Sequence, residues 1–248
     1  MVIRVLACDD SRLLDTWDRA AGLDRPWREL AVVETARGVP LDELARLPIG
    51  ARDRLLLDVR IGAFGSSLNC ETTCPSCSTR LEMSLDARDL LVSPPVTDAS
   101  DFMLSDDAVT VRFRLPDSTD LAACRTETGV ARGAAYVLAE RCIEVLAVAD
   151  DAALPLTISA RLRDHVAERM AALDAQADVV FDLHCVACDH RWQSPFDPAA
   201  FLLSEVDAYA ARLTVEVHQL ARAYGWHEAS ILAMGATRRR RYLSLLLQ

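Results

Sequence analysis

Two short cysteine pairs carry the clearest chemistry in this chain: Cys74-Pro-Ser-Cys77 and Cys185-Val-Ala-Cys188. A Cys-x-x-Cys turn sets two sulfurs on the same side of the backbone. Two such turns can close one tetrahedral site, with metal–sulfur distances of about 2.3 Å. Four thiolates saturate that site and leave no position for water or substrate. The pattern therefore points to a structural Zn2+, with rubredoxin-like iron as the lesser alternative because it uses the same ligands. Cys70, four residues before Cys74, is a competing thiol, while Cys8, Cys124 and Cys142 lie in apolar surroundings and read as small buried hydrophobes. His184 and His190 flank the second pair. Four thiols already suffice, so both histidines are expected at the surface or behind the ligands.

Each pair opens a similar segment. The first reads Cys74-Pro-Ser-Cys77-Ser-Thr-Arg-Leu-Glu-Met-Ser-Leu-Asp and the second Cys185-Val-Ala-Cys188-Asp-His-Arg-Trp-Gln-Ser-Pro-Phe-Asp. In both, a tight turn runs into an alternating strand that ends in Asp, a zinc knuckle made twice. The pairs are separated by residues 78–184, a gap of 107 residues. Closing so long a loop costs only roughly 1–2 kcal/mol more than closing a 20-residue one. Structural zinc contributes on the order of 10 kcal/mol in small domains, so metal binding outweighs the closure cost. Disulfides are the competing use of these thiols. The opening Met1-Val-Ile-Arg-Val-Leu-Ala-Cys-Asp-Asp has no basic region followed by a long apolar core, so a reducing cytoplasmic location is expected, where disulfides are disfavoured.

Composition excludes several chemistries. Half of the 248 residues are hydrophobic, which supports a real core, and no apolar run reaches the roughly 18 residues of a membrane span. A formal charge of −10 opposes general affinity for nucleic acid or anionic membrane. All 27 basic residues are arginine. Without lysine there is no Walker-type phosphate loop, no Schiff base and no kinase-type Lys–Glu pair. Gly62-Ala-Phe-Gly65 then reads as a helix stop and turn. No Gly-x-Ser-x-Gly elbow occurs, and His227-Glu228-Ala-Ser-Ile231 has Ile where a zinc protease needs its second His. The doublets Asp9-Asp10, Asp106-Asp107 and Asp150-Asp151 read as solvated loop ends. No nucleophile, base and oxyanion site assemble, so no catalytic residue is assigned and no enzyme is expected.

The elements that must position the cysteines divide the chain into four. Residues 1–66 read as an N-terminal helical segment: Ser11 as a cap for a helix to about Ala21, a second helix from Pro26-Trp27, and a third from Ala51 to Ile61 after Pro48-Ile-Gly50. Residues 67–90 and 176–198 form a split zinc-ribbon domain whose four strands are expected in one small antiparallel sheet. Residues 91–175 form an α/β insertion with a half-buried strand over Val109–Leu115. Its helices are expected from Ser118, over Val130 to Cys142, and over Ser159 to Leu173. Residues 199–248 are a C-terminal helical segment. Val206, Tyr209, Leu213, Val217, Leu220 and Tyr224 form a stripe about five turns long, which reads first as packing onto the chain's own core. Gly225 stops that helix, a short one follows over Trp226 to Met234, and Thr237 begins the last. The expected fold class is α+β: a small antiparallel zinc-ribbon-like sheet with a long α/β insertion, flanked by N- and C-terminal helical segments. The run Arg238-Arg239-Arg240-Arg241 wraps around a helix and does not make one face, so it reads as a solvated or acidic-partner surface.

These motifs together resemble a known family. Leu44-Ala-Arg-Leu-Pro-Ile-Gly50-Ala-Arg-Asp-Arg-Leu-Leu-Leu, the two knuckles, Leu81-Glu-Met, Trp192 and Phe196 are similar to the T-even phage family of baseplate hub assembly chaperones. So are Glu205-Val-Asp-Ala-Tyr-Ala-Ala-Arg-Leu, Val217-His-Gln-Leu-Ala-Arg-Ala-Tyr-Gly-Trp226, Ile231-Leu-Ala-Met and Arg238-Arg-Arg-Arg-Tyr-Leu. The resemblance covers most of the chain and is weakest over residues 1–40 and in the insertion. It departs from the family after the last cysteine, where second-knuckle members often carry Gly and this chain has Asp189; Ser78 follows the first pair. It implies a non-enzymatic role in building the baseplate or hub of a phage tail or contractile injection system, in the bacterial cytoplasm. The implied partners are hub, spike or wedge proteins, with no small-molecule substrate and no membrane. Partner-binding residues expected on this reading are Tyr224, Trp226, Arg238, Arg239, Arg240, Arg241 and Tyr242. The alternative is a zinc-ribbon regulator that binds nucleic acid through the same arginines.

Overall fold

The computed structural model describes residues 10–92, 102–105, 109–127, 137–138, 141–148 and 158–246. In chain order its elements begin with the helices α1 (Asp10–Ala20), α2 (Trp27–Arg37), α3 (Leu41–Ala45) and α4 (Ile49–Phe64). A hairpin of β1 (Ser67–Thr73) and β2 (Arg80–Asp86) follows, then β3 (Phe102–Ser105), β4 (Val109–Phe113), α5 (Ser118–Glu127) and β5 (Ile143–Val148). Helix α6 (Ala160–Leu173) leads to a second hairpin, β6 (Val180–His184) and β7 (Arg191–Pro195), and then to α7 (Pro198–Tyr224), α8 (Glu228–Leu232) and α9 (Ala236–Leu245). The class is α+β, with small antiparallel sheets and flanking helices. No helix among the described residues is long and apolar enough to cross a membrane.

The chain forms two compact units. One comprises Met1–Leu41, Leu56–Gly65 and Asp197–Gln248; the other comprises Asp42–Leu55 and Ser66–Phe196. In the first, α7 is the spine. Asp197 caps it by accepting from the Ala200 N–H at 2.9 Å, Pro198 opens its first turn, and Gly225 ends it at φ 67°. Its stripe turns inward: Val206, Leu213 and Leu220 are buried. α1, α2, α8 and α9 pack against α7. The lysine-free composition shows in how this unit handles charge. Arg60 grips Glu205 through two nitrogens at 2.8 and 2.7 Å, and Arg25 grips Asp197 likewise at 2.8 and 2.9 Å. A planar guanidinium fork makes such paired bonds and an ammonium cannot. Asp10, expected at a solvated loop end, instead accepts from the Tyr209 hydroxyl at 2.7 Å and pairs with Arg239 at 2.6 Å. The other two acidic doublets lie outside the described residues, as does Cys8.

In the second unit, β4 is the centre of a three-stranded antiparallel sheet, β3-β4-β5, with α6 on one face. Val111 and Phe113 of β4 meet Leu162 and Val166 of α6, and Phe102, Leu104, Ile143 and Val145 surround them. β3 and β5 were not foreseen, because four residues of β3 give too little alternation to read. Of the helix expected over Val130 to Cys142, Val137, Leu138, Arg141 and Cys142 lie within the described residues, and all four are helical. Asp120, at the start of α5, is fully buried between Arg114 (2.6 and 2.9 Å) and Arg141 (2.9 Å). At the start of α4, the Gly50 N–H donates to buried Asp174 at 2.8 Å. A Cβ at Gly50 would lie 1.9 Å from the Asp174 Oδ1, so only glycine allows that approach.

The four knuckle strands do not form one sheet. β1-β2 and β6-β7 are separate two-stranded ribbons. Each hairpin completes its own ladder, and no backbone pairing joins the two ribbons among the described residues.

Candidate metal centre

The two hairpins are built on one register. In the first, Leu68 faces Leu85 and Thr73 faces Arg80; in the second, Val180 faces Pro195 and His184 faces Arg191. A constant shift of 111 positions carries Cys74, Cys77, Ser78 and Asp86 onto Cys185, Cys188, Asp189 and Asp197. The turns repeat bond for bond. The Cys74 N–H donates to the Thr79 carbonyl and the Ser78 N–H to the Cys74 carbonyl, both at 2.9 Å. The Cys185 N–H donates to the His190 carbonyl and the Asp189 N–H to the Cys185 carbonyl, again at 2.9 Å. Such a turn needs one residue in the left-handed region. Ser78 takes it at φ 60° and Asp189 at φ 58°, a conformation that glycine adopts at no steric cost. Both exits are capped by the aspartate: Asp86 accepts from the Arg88 N–H two residues on and Asp197 from the Ala200 N–H three residues on, each at 2.9 Å.

The turns bring all four sulfurs together. Cys74 Sγ lies 3.7 Å from Cys188 Sγ, and Cys77 Sγ lies 3.6 Å from Cys185 Sγ. All four ligand atoms lie within 4.8 Å of one another. A tetrahedron with metal–sulfur bonds of about 2.3 Å has edges of about 3.8 Å, so the cluster has the size one ion requires. Cys74 and Cys185, at the start of each turn, are buried, while Cys77 and Cys188 are exposed. The Thr79 hydroxyl and backbone hold the Cys77 thiol down at about 6. The His190 backbone favours the Cys188 thiolate, but the neighbouring sulfurs outweigh it and push that thiol up to about 12. Four sulfurs this close cannot all ionise unless a cation shares them.

A side chain that the sequence did not single out ties the hairpins together. Gln176, buried just before β6, donates from Nε2 to the Leu90 carbonyl at 3.0 Å and accepts from the Val92 N–H at 3.1 Å. The segment leaving the first hairpin is thus stitched to the segment entering the second. Only its place ahead of a strand could have marked it, and a lone glutamine there carries no pattern.

The other cysteines and the histidines stand apart from the cluster. Cys70 lies on β1 opposite Met83. Cys124 and Cys142 are buried; burial and the neighbouring Asp120 push the Cys142 thiol up to about 12, an inert form. His184 contacts the Asp189 carboxylate at 3.0 Å, and His190 stacks on Trp192. The expected partner-binding residues divide. Tyr224, Trp226 and Tyr242 form an aromatic trio with ring centroids 4.6–5.8 Å apart. Arg238, Arg240 and Arg241 are exposed. Arg239 is not: only 1% exposed, it is held by Asp10, by Glu216 at 2.9 Å and by the Met234 carbonyl at 2.5 Å. Its charge is neutralised within the chain, unlike that of the three exposed arginines.

Comparison with known proteins bears on the same residues. A family model described as T4 bacteriophage base plate protein matches residues 35–202, a stretch that contains both knuckle hairpins and everything between them. The tail motifs from Glu205 onward lie beyond the matched residues. Comparisons with curated proteins and with solved structures gave no match.

Proposed function

Because the chain belongs to the T4 bacteriophage base plate protein family, we propose that it is a non-enzymatic assembly factor or minor structural component of the baseplate or hub of a contractile, phage tail-like particle. The observation that carries this reading is the family match across both hairpins, combined with four sulfurs gathered at tetrahedral spacing. The ion that best suits the donor set is Zn2+, held by Cys74, Cys77, Cys185 and Cys188, with iron the lesser choice. Its role is to lock the two hairpins of a split zinc-ribbon-like domain, residues 67–90 and 176–198, into one rigid piece. A saturated sulfur site performs no hydrolysis, which fits an assembly role.

The proposed partners are hub, spike or wedge proteins, met in the bacterial cytoplasm before the particle closes. A family role in a base plate makes other base plate components the natural partners, and the aromatic trio offers them a surface. Co-purification from cells expressing the surrounding gene cluster tests this. A baseplate component is expected to come down with the tagged chain, and deletion is expected to abolish sheathed particles. No bound particle protein together with normal particles after deletion would refute the reading.

A further inference from the structure

The four-arginine run resolves into three environments. Arg239 points into the interior. Arg240 folds back on its own helix, donating to the Ala236 carbonyl at 3.3 Å. Arg238 and Arg241 fall with Tyr242 and Leu245 at i, i+3, i+4 and i+7, a single stripe along α9. The Arg238 guanidinium lies over the Tyr242 ring at 6.0 Å, and Trp226 meets the same ring edge-to-face at 4.8 Å. Leu245 is 53% exposed at the end of the stripe.

The charge balance around this stripe is locally positive. Among the described residues neither Arg238 nor Arg241 has a carboxylate partner, whereas their neighbour Arg239 has two, Asp10 and Glu216. Residues 217–248 hold five arginines and a single acid, Glu228, in a chain whose formal charge is −10. A cationic stripe with an aromatic and an aliphatic member, left unpaired on an acidic protein, is complementary to a segment that is both acidic and aliphatic. We propose that Trp226, Arg238, Arg241, Tyr242 and Leu245 dock an acidic, leucine-bearing segment of another base plate protein. This rests on the base plate reading above and names the chemistry of its partner. Nucleic acid fits less well. A phosphate backbone would meet two cations here and the negative field of the whole chain around them, and exposed Leu245 has no use for phosphate.

The test uses the full chain, loaded with its metal. A short fluorescent peptide patterned with Glu and Leu on a helix, its Glu→Gln counterpart, and single- and double-stranded DNA are titrated against wild type and the Arg238→Glu/Arg241→Glu double variant. Both side chains are exposed, and unchanged circular dichroism and metal content verify folding. If that variant fails to fold, Leu245→Ala and Trp226→Ala take its place. The acidic peptide is expected to bind wild type, and the double variant to weaken it at least about tenfold. The glutamine peptide is expected to show no difference between the two proteins. An acidic peptide that does not bind, binding that ignores the substitutions, or preferential capture of DNA would each overturn the proposal. Cells carrying the double variant separate it from its parent reading. If deletion abolishes particles and the double variant does not, the stripe is wrong and the base plate role stands.

Discussion

Two buried aspartates show how local surroundings decide the sign of a carboxylate's effect on stability. Burial pushes Asp174 up, and the single Gly50 N–H only partly offsets it. A group raised in the folded state stabilises below its unfolded value near 3.8 and loses that contribution as pH rises through the folded value. Asp174→Asn should therefore raise the thermal midpoint at pH 7 and give little gain at pH 3. Asp120 runs the other way. Burial opposes its ion, but Arg114, the Asp117 N–H and Arg141 outweigh burial and hold the carboxyl far below the usual range. Its contribution is complete above 3.8 and is lost as pH falls toward the depressed value. Asp120→Asn should lower the midpoint at pH 7, with the deficit shrinking in acid; melting curves across pH 3–7 check both. The two left-handed residues differ in the same spirit. Ser78→Gly should stabilise by up to ~1 kcal/mol in denaturant melts, since serine gains nothing from φ 60°. Asp189→Gly should gain less, because Asp tolerates that conformation better and touches His184.

At the level of elements, the sequence was most legible where a local rule sufficed. Gly225 after an apolar stripe marked the end of α7, Ser159 marked the start of α6 by accepting from the Leu162 N–H, and alternation over Val109–Phe113 marked β4. The four-cysteine cluster was legible for the same reason: the spacing of Cys74 with Cys77 and of Cys185 with Cys188 is a local property, and the matched strands repeat it. What stayed hidden depends on partners distant in sequence. The expected single sheet became two ribbons because pairing between hairpins is a tertiary choice that no alternation encodes. Arg239 looked like one of four equal surface cations until Asp10 and Glu216 met it. Gln176 belongs to this hidden class. Gln176→Ala would leave the Leu90 carbonyl and the Val92 N–H without partners, at a cost of about 1–3 kcal/mol. Chemical denaturation should show that loss. A Gln176→Ala variant as stable as wild type would mean that the stitch between hairpins is dispensable.

For the molecule as a whole, the shared site makes a prediction that two independent knuckles would not. Purified chain should carry one ion, and stripping it with a chelator should lower the thermal midpoint and raise amide exchange in β1-β2 and β6-β7 together. Exchange rising in one hairpin alone would break the shared-site reading. The separation of the two halves also has a consequence in time. Translation runs at roughly 5–20 residues per second, so Cys74 and Cys77 leave the ribosome some 5–20 s before Cys185 and Cys188. During that interval a nascent chain displays half a site, and the half displayed by one nascent chain matches the half displayed by its neighbour on the same messenger. Until its own second hairpin emerges, each nascent chain therefore has thiols whose best partners are the matching thiols of the chain beside it.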